Sequence, residues 1–348
     1  MPSVSRLPAD VRAELATGRG LLRAADFEGP GRSRSRLHRL ERKGDLVVVA
    51  KGVYADAAAL AAADPWSAFR LRTRAFLLAG APNTYAAGWS SAVLHGLPTT
   101  GRPPQVPTVI RPGSRVSGSN RTCHGRTRFA AVPDRWLGQA DGCPAVGAAF
   151  AAVDLARHAG AMTGLVLADA VAFRPGGREQ LGAALADIGA WTGSGRAAWS
   201  VRHCDPDVES PLESVGRCAF LRAGLPLSLS NVWVGEFVPE VRLDHYWPQH
   251  RVGAEGDGVG KYLLADPAAA IRKEKEREWL LQRMGIRLVR YTWPVATRSP
   301  DLLAAQVQAR LAEPARSGGR IRTWARDDGL AQLGLPAGRP RPDLPRTG

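Results

Sequence analysis

Three acidic residues in a strand-rich segment could bind a divalent cation. They are Asp244, Glu255 and Asp257, and apolar and β-branched residues surround them in the chain. Carboxylate oxygens suit Mg²⁺, and a bound Mg²⁺ lowers the pKa of a water ligand and offsets charge that develops on a phosphate. These residue types at this spacing therefore point to hydrolysis of a phosphodiester bond, with Mg²⁺ or Mn²⁺ as the cofactor.

The three acids share one face of a sheet only if the turn between their strands has a defined register. With residues 248–249 as a two-residue turn, we expect Asp244 to lie opposite Gly253. Glu255 then lies further along on the same face, and Asp257 joins it if the extended backbone continues. A slip of one residue would separate the carboxylates. Taken alone, such a set is better explained as ordinary acids at a turn and at strand ends.

A cation near the carboxylates would stabilise the transition state and orient the attacking water. The candidates are Lys261 and Arg277, and Glu213 on an earlier helix is a further carboxylate for the metal shell. The predicted catalytic residues are therefore Asp244, Glu255, Asp257, Lys261 and Arg277, and the predicted metal ligands are Glu213, Asp244 and Glu255.

The elements that would position these residues follow from the hydrophobic pattern of residues 209–293. Residues 209–223 are predicted to form an amphipathic helix that Ser210 caps and Gly224 ends. Three β-rich stretches, a charged helix and an apolar strand follow, at residues 227–234, 237–247, 251–256, 268–284 and 286–293. The predicted order is αβββαβ, which is the core of the PD-(D/E)XK nuclease fold.

The same segment resembles the very-short-patch-repair-like endonuclease domain found in many actinobacterial proteins. Six stretches carry the resemblance in order: ESPLES, AGLP, RLDHYWP, EGDGVGKY, EKERE and GIRLVRYTW. The resemblance implies a metal site at Glu213, Asp244 and Glu255, with Asp257 and Lys261 completing the motif.

Two positions depart from the pattern of that family. Gly256 stands between the acids in place of a bulky apolar residue, and a glycine weakens a strand by about 0.5 to 1 kcal/mol. Lys261 stands where a histidine often follows the motif. Many domains of this fold bind nucleic acid without cutting it, so a binding module remains an alternative.

A dense group of cations lies near the N-terminus. The pattern predicts three short helices at residues 8–17, 21–27 and 33–43, followed by a β-hairpin. This order predicts a winged helix whose third helix ends at Gly44. We expect that helix to enter a DNA major groove, although a solvated helix face is the alternative. The predicted DNA-binding residues are Arg32, Arg34, Arg36, Arg39, Arg42 and Lys43 on the helix, and Lys51 at the tip of the wing.

The stretches SRLHRLERKGDLV and KGVYA resemble the N-terminal winged-helix domain of AbiEi-type antitoxins, and SSAVLHGLP in the middle segment is also similar to those proteins. The resemblance implies a transcriptional regulator that binds its own promoter. It also implies double-stranded DNA and a cognate toxin protein as partners.

Composition agrees with a nucleic-acid partner. The 348 residues include 47 Lys plus Arg against 32 Asp plus Glu, a formal net charge of +15, although the excess of arginine also fits a GC-rich genome. The four cysteines have no C-x-x-C spacing, which argues against a structural zinc site. Asp169 interrupts the most apolar stretch, which falls short of the roughly 20 residues that a bilayer span needs. We therefore expect a cytoplasmic protein with no membrane partner.

The predicted fold class is a multidomain protein of α/β and α+β type. Its expected parts are a winged-helix domain, an α+β antitoxin-like middle domain, a PD-(D/E)XK endonuclease-like domain and a basic, disordered tail, at residues 1–57, 66–201, 205–312 and 313–348. Two functions remain open. The first is a Mg²⁺-dependent DNA endonuclease, and the second is an AbiEi-like autoregulator with an inert nuclease fold.

Overall fold

The computed structural model describes residues 7–113, 118–258, 267–315 and 318–334. The chain divides into two compact units. Unit 1 comprises residues 1–155 with residues 186–190, and unit 2 comprises residues 156–185 with residues 191–347. Both contain helices and strands, and the described residues form three sheets.

Unit 1 begins with two helices and a three-stranded sheet, which we call the N-terminal module (residues 7–56). Its elements are α1 (Ala9–Thr17), β1 (Leu22–Arg23), α2 (Arg34–Arg42), β2 (Leu46–Ala50) and β3 (Val53–Asp56). The sheet order is β1-β3-β2, with antiparallel pairs throughout. The Ser33 hydroxyl caps α2 by accepting a hydrogen bond from the backbone N–H of Arg36. Gly44 follows the helix with φ +77°, as predicted for its stop.

The predicted helix over residues 21–27 does not form. Leu22 and Arg23 instead pair with β3 as a short strand. The backbone N–H of Ala24 also donates to the carbonyl of Gly52 at 2.8 Å, so this backbone pairs with the hairpin and not with itself as in a helix. Phe27 still reaches the core of the module, where it packs with residues of α1 and α2.

The rest of unit 1 contains a six-stranded sheet and four helices. Its elements are α3 (Ala57–Ala62), α4 (Pro65–Leu78), β4 (Tyr85–Ala86), α5 (Trp89–Leu94), β5 (Thr108–Arg111), β6 (Gly118–Arg121), β7 (Arg126–Phe129), β8 (Leu137–Ala140), β9 (Cys143–Val146) and α6 (Ala148–Ala156). The sheet order is β6-β7-β5-β4-β9-β8. Val49 and Val53 of the N-terminal hairpin share a core cluster with Ala75 of α4. This shared core joins the N-terminal module to the following segment, in contrast to the predicted separation near residue 57.

Unit 2 carries the predicted αβββαβ order. Its elements are α7 (Ala161–Ala172), α8 (Gly177–Ile188), α9 (Ser194–His203), α10 (Pro211–Arg222), β10 (Leu229–Gly235), β11 (Val241–Trp247), β12 (Val252–Gly256), α11 (Pro267–Arg283), β13 (Arg287–Tyr291), α12 (Trp293–Arg298), α13 (Pro300–Ala312), β14 (Arg322–Trp324) and α14 (Arg326–Gln332). The predicted run corresponds to α10-β10-β11-β12-α11-β13.

The sheet of unit 2 has the order β13-β12-β11-β10-β14. Strands β10, β11 and β12 are antiparallel neighbours, and β13 runs parallel to β12. Phe220 of α10 and Leu303 of α13 share a core cluster with Trp247 of β11. A second cluster joins Leu281 of α11 to Leu243 of β11. The strands are therefore packed against helices in two separate cores, and α10 and α11 hold the sheet between them.

The predicted boundary between residues 201 and 205 differs from the division of the structure. Helix α7 packs against α10 and α9, so these helices belong to unit 2. A buried ion pair joins Asp169 of α7 to Arg217 of α10, with a nitrogen-to-oxygen distance of 3.2 Å. The periodicity of the sequence predicts such helices but not which sheet they cover.

The predicted disordered tail at residues 313–348 is wrong for the residues that the structure describes there. Strand β14 pairs with β10, and Trp324 lies opposite Trp233. Arg326 begins α14 and is only 3 % exposed, with its guanidinium over the ring of Phe173. Residues 335–348 lie outside the described residues.

Candidate functional site

The outer side of α2 carries unpaired positive charge. Its exposed residues lie on one side of the helix and are Arg34, Ser35, His38, Arg39, Arg42 and Lys43. We call the four cations Arg34, Arg39, Arg42 and Lys43 the basic face. Within the described part of the chain, none of the four forms an ion pair with a carboxylate. The basic face is therefore free to contact an anionic partner.

Two of the predicted DNA-binding arginines are instead bound within the N-terminal module. Arg36 donates hydrogen bonds to both carboxylate oxygens of Asp10, at 2.7 and 2.9 Å. This hydrogen bonding lowers the pKa of Asp10. Arg32 donates to Glu14 at 2.5 Å, and both guanidinium groups lie over the ring of Phe27. Because Asp10 and Glu14 belong to α1, these arginines fix α2 against α1.

The hairpin after α2 places one more cation at its tip. Lys51 and Gly52 form the turn between β2 and β3, and Gly52 has φ +68°, which favours glycine. Lys51 is exposed, as predicted for the tip of a wing.

Asp244 and Glu255 lie at the end of the paired part of β11 and β12. The last pair of that register is His245 with Ala254, and Asp244 and Glu255 are the next residues of the two strands. One carboxylate oxygen of Asp244 accepts a hydrogen bond from the backbone N–H of Gly256 at 2.9 Å.

The predicted pairing of Asp244 with Gly253 is wrong, because Gly253 lies opposite Tyr246. The turn is not a two-residue hairpin: Pro248–His250 forms a 3₁₀ turn, and Arg251 follows with φ +49°. Two-residue hairpins need a positive φ at the first turn residue, and proline cannot adopt it. The observed register is therefore shifted by two residues from the predicted one.

Glu213 lies in the first turn of α10 and is only 7 % exposed. Its carboxylate accepts a hydrogen bond from the backbone N–H of Glu209 at 3.0 Å, while its own N–H donates to the Ser210 hydroxyl. This reciprocal pattern resembles the capping box that S-x-x-E sequences form. Burial, and then the charge of Asp244, raises the pKa of Glu213 to about 7. Glu213 therefore caps the helix start independently of any cation.

Asn231 also belongs to this cluster, although the sequence does not predict it as a site residue. It is fully buried with φ +47°, and the register of β10 and β11 places it opposite Asp244. Its amide nitrogen donates to Glu213 at 2.6 Å and to the carbonyl of Asp207 at 2.7 Å. Its carbonyl oxygen accepts no hydrogen bond from any described residue. A single asparagine within an apolar strand is the signal that could have identified it.

Glu255 is paired with a cation from the protein itself. It is 3 % exposed, and both carboxylate oxygens accept hydrogen bonds from Arg277 of α11, one of them at 2.7 Å. The same guanidinium donates to the backbone carbonyl of Arg242 at 2.9 Å. Burial lowers the pKa of Arg277, and the charge of Asp244 opposes that shift. An arginine remains a cation in proteins, so this is a bidentate ion pair.

A second cation lies beside Glu255 in the sheet. Arg290 of β13 is its neighbour in the parallel register. Arg290 forms ion pairs with Glu274 and with Glu278, both on α11. Glu274, Arg277 and Glu278 have the i, i+3, i+4 spacing that places them on one side of the helix. The spacing is present in the EKERE stretch, but the sequence does not contain the partners of these residues.

The remaining residues of the predicted motif are Asp257, Lys261 and Gly256. The backbone N–H of Asp257 donates to the carbonyl of Tyr291 at 2.7 Å, so pairing with β13 continues past the end of β12. Lys261 lies outside the described residues. A Cβ atom on Gly256 would come within 2.7 Å of Leu212 of α10. The glycine therefore leaves room for Leu212, and a bulky residue would not fit there.

The donor set of Glu213, Asp244 and Glu255, which we call the acidic end of the sheet, consists of oxygen atoms that suit Mg²⁺. Its arrangement does not suit a resident cation, because Arg277 binds both oxygens of Glu255. Over residues 7–113, 118–258, 267–315 and 318–334, no three Asp, Glu, His or Cys side chains form a group that could hold a metal ion.

Comparison with known families gives one match. Residues 10–55 match a family described as a transcriptional regulator, AbiEi antitoxin. The match spans α1 to β3, so it concerns the N-terminal module and not the whole chain. No curated protein matches the sequence. None of the described helices combines the length and apolarity needed to cross a membrane.

Proposed function

We propose that the protein is a DNA-binding transcriptional regulator of the AbiEi antitoxin type. In this proposal the N-terminal module is a winged helix and α2 is its recognition helix. The observation that carries it is the basic face, where four exposed cations have no carboxylate partner in the described part of the chain. The family match over residues 10–55 supports the same function.

The dimensions of the module suit duplex DNA. Helix α2 has 9 residues and is about 13 Å long, and an α-helix with its side chains is about 10 to 12 Å in diameter, which fits a major groove about 12 Å wide. The contacts of Arg32 and Arg36 with α1 fix its orientation, while Arg34, Arg39 and Arg42 remain available to phosphates and base edges. Lys51 extends the positive surface to the hairpin.

The family resemblance suggests which DNA the protein would bind. A regulator of the AbiEi antitoxin type is expected to control its own gene, so the proposed target is double-stranded DNA upstream of that gene. Such regulators also imply a cognate toxin as a protein partner. The middle segment that resembles those antitoxins lies in unit 1, and the proposal places the toxin contact outside the basic face.

Fluorescence anisotropy with labelled duplexes tests the proposal. We expect the full chain to bind the duplex from upstream of its own gene, and Arg39→Ala plus Arg42→Ala to weaken binding about tenfold through lost phosphate contacts. Lys273→Ala plus Lys275→Ala on α11 is the matched control, because it removes the same net charge from exposed residues of unit 2. An equal loss of affinity in both variants would contradict a role specific to α2.

The second candidate function is metal-dependent cleavage of DNA by unit 2. The αβββαβ order and the positions of Asp244 and Glu255 at the end of the paired part of β11 and β12 favour it. A bound divalent cation would supply an activated water for phosphodiester hydrolysis. Cleavage would require Glu255 to break its hydrogen bonds with Arg277, so that its carboxylate oxygens can bind the cation.

Incubation of supercoiled plasmid with Mg²⁺ or Mn²⁺ tests this second candidate. Nicking by the wild type that Asp244→Asn plus Glu255→Gln abolishes would establish cleavage by unit 2. Intact plasmid with the wild type, or equal nicking by the variant, would reject it.

A further inference from the structure

We propose that Arg277 takes the place of a divalent cation in unit 2, as the fixed counter-ion of the acidic end of the sheet. Its guanidinium donates to both oxygens of Glu255 and to the backbone carbonyl of Arg242. One side chain of α11 thus bridges β11 and β12. A metal ion between carboxylates would bridge the same two strands, so the guanidinium supplies both the charge and the link.

The other cation beside Glu255 already has carboxylate partners of its own. Arg290 lies beside Glu255 in the sheet and is itself paired with Glu274 and Glu278. Acids and bases therefore alternate along the contact between α11 and the sheet. A divalent cation added to this layer would have to displace Arg277 from a buried carboxylate, which leaves a guanidinium with no equivalent partner.

The acidic end would become a cation site once Arg277 is removed. Glu255 is buried, Asp244 follows the last paired residue of the adjacent strand, and Glu213 accepts a hydrogen bond from Asn231 of β10. The buried carbonyl oxygen of Asn231 already lacks a hydrogen-bond donor among the described residues. Loss of the guanidinium would leave the buried carboxylate of Glu255 without its cation, and an uncompensated carboxylate with further oxygen donors at the same end of the sheet is the environment that hard cations prefer.

This proposal is independent of DNA binding by α2 and opposes the second candidate function, since it explains how the nuclease-like order of elements persists without a metal. Its test uses no DNA. Failure of the regulator proposal would therefore leave the result unchanged.

The test is the midpoint of thermal unfolding of the full chain, measured in Mn²⁺, in Ca²⁺ and in NaCl of equal ionic strength. For the wild type we expect the same midpoint in all three. For Arg277→Met we expect a midpoint several degrees lower in NaCl, because the buried carboxylate of Glu255 has lost its partner. In Mn²⁺ we expect the midpoint of this variant to rise again by several degrees. Absence of that recovery would overturn the proposal.

Two further variants separate a specific response from a general one. Arg283→Met removes an arginine of the same helix that pairs with Glu240 and lies over Trp279, and it should gain no cation response. Arg277→Met plus Glu255→Met removes both partners and should also show no response, with part of the lost stability regained. A cation response in either variant would count against the proposal.

Measurement on the wild type keeps the proposal testable if Arg277→Met does not fold. The probe is then free Mn²⁺, followed by its electron paramagnetic resonance signal during titration with the protein. We expect no binding at the acidic end. Binding that Asp244→Asn abolishes would overturn the proposal.

Discussion

The basic face of α2 and the acidic end of the unit 2 sheet are both concentrated charges, but they are compensated differently. The cations of the basic face are exposed and have no carboxylate partner in the described chain. Glu213 and Glu255 are buried, and each is hydrogen-bonded to the protein. Exposed unpaired charge attracts a partner, whereas buried paired charge is used by the fold. We therefore expect the basic face to bind a partner and the acidic end to stabilise the fold.

The largest expected difference between the two regions is in stability. Breaking the pair of Arg277 and Glu255 should lower the free energy of unfolding by about 3 to 5 kcal/mol, because Glu255 remains buried without a partner. Arg39→Met on the basic face should change it by less than about 0.5 kcal/mol. Urea unfolding of Arg277→Met and Arg39→Met measures both, and equal effects would remove the distinction between the regions.

A smaller effect tests how tightly the acidic end is packed. Gly256→Val should lower the free energy of unfolding by about 1 to 3 kcal/mol, since the added side chain meets Leu212 and Tyr291. Gly258→Val is the matched control, because a Cβ atom at Gly258 meets nothing within 4 Å. The same urea titration compares the two. A neutral Gly256→Val would show that α10 is not packed closely on β12.

A further effect on stability that we predict depends on pH. The pKa of Glu213 is raised from 4.5 to about 7 in the folded protein, so its contribution to stability is full below pH 4.5 and is lost as the pH rises through 7. Glu213→Gln removes this loss while keeping the hydrogen bond from Asn231. Relative to the wild type, the variant should therefore gain stability between about pH 5 and about pH 8. A difference that does not change with pH would contradict the raised pKa.

The order of elements from α10 to β13 could be predicted from the sequence. The apolar period and the glycines at residues 224 and 285 place α10, the three strands, α11 and β13 close to their observed positions. These features depend on local periodicity and backbone preferences, which a sequence contains directly.

Contacts between distant elements could not be predicted. The partner of Asp244 depended on a turn in which Pro248 excludes the two-residue hairpin. Arg36 and Arg39 look equivalent in sequence, but one faces Asp10 and the other faces outward. Arg277 was predicted to act on a substrate, whereas it is bound to Glu255. In each example the side chain's role depends on a residue far away in the chain, and periodicity does not contain that information.

The most direct measurement is the salt dependence of DNA binding. Each phosphate contact contributes about 0.9 to the slope of log affinity against log salt concentration, so we predict that Arg39→Ala plus Arg42→Ala reduces the slope by about 1.8. The slope of Lys273→Ala plus Lys275→Ala should equal that of the wild type. An unchanged slope for the α2 variant, or an equal reduction in the α11 control, would contradict the assignment of DNA binding to the basic face.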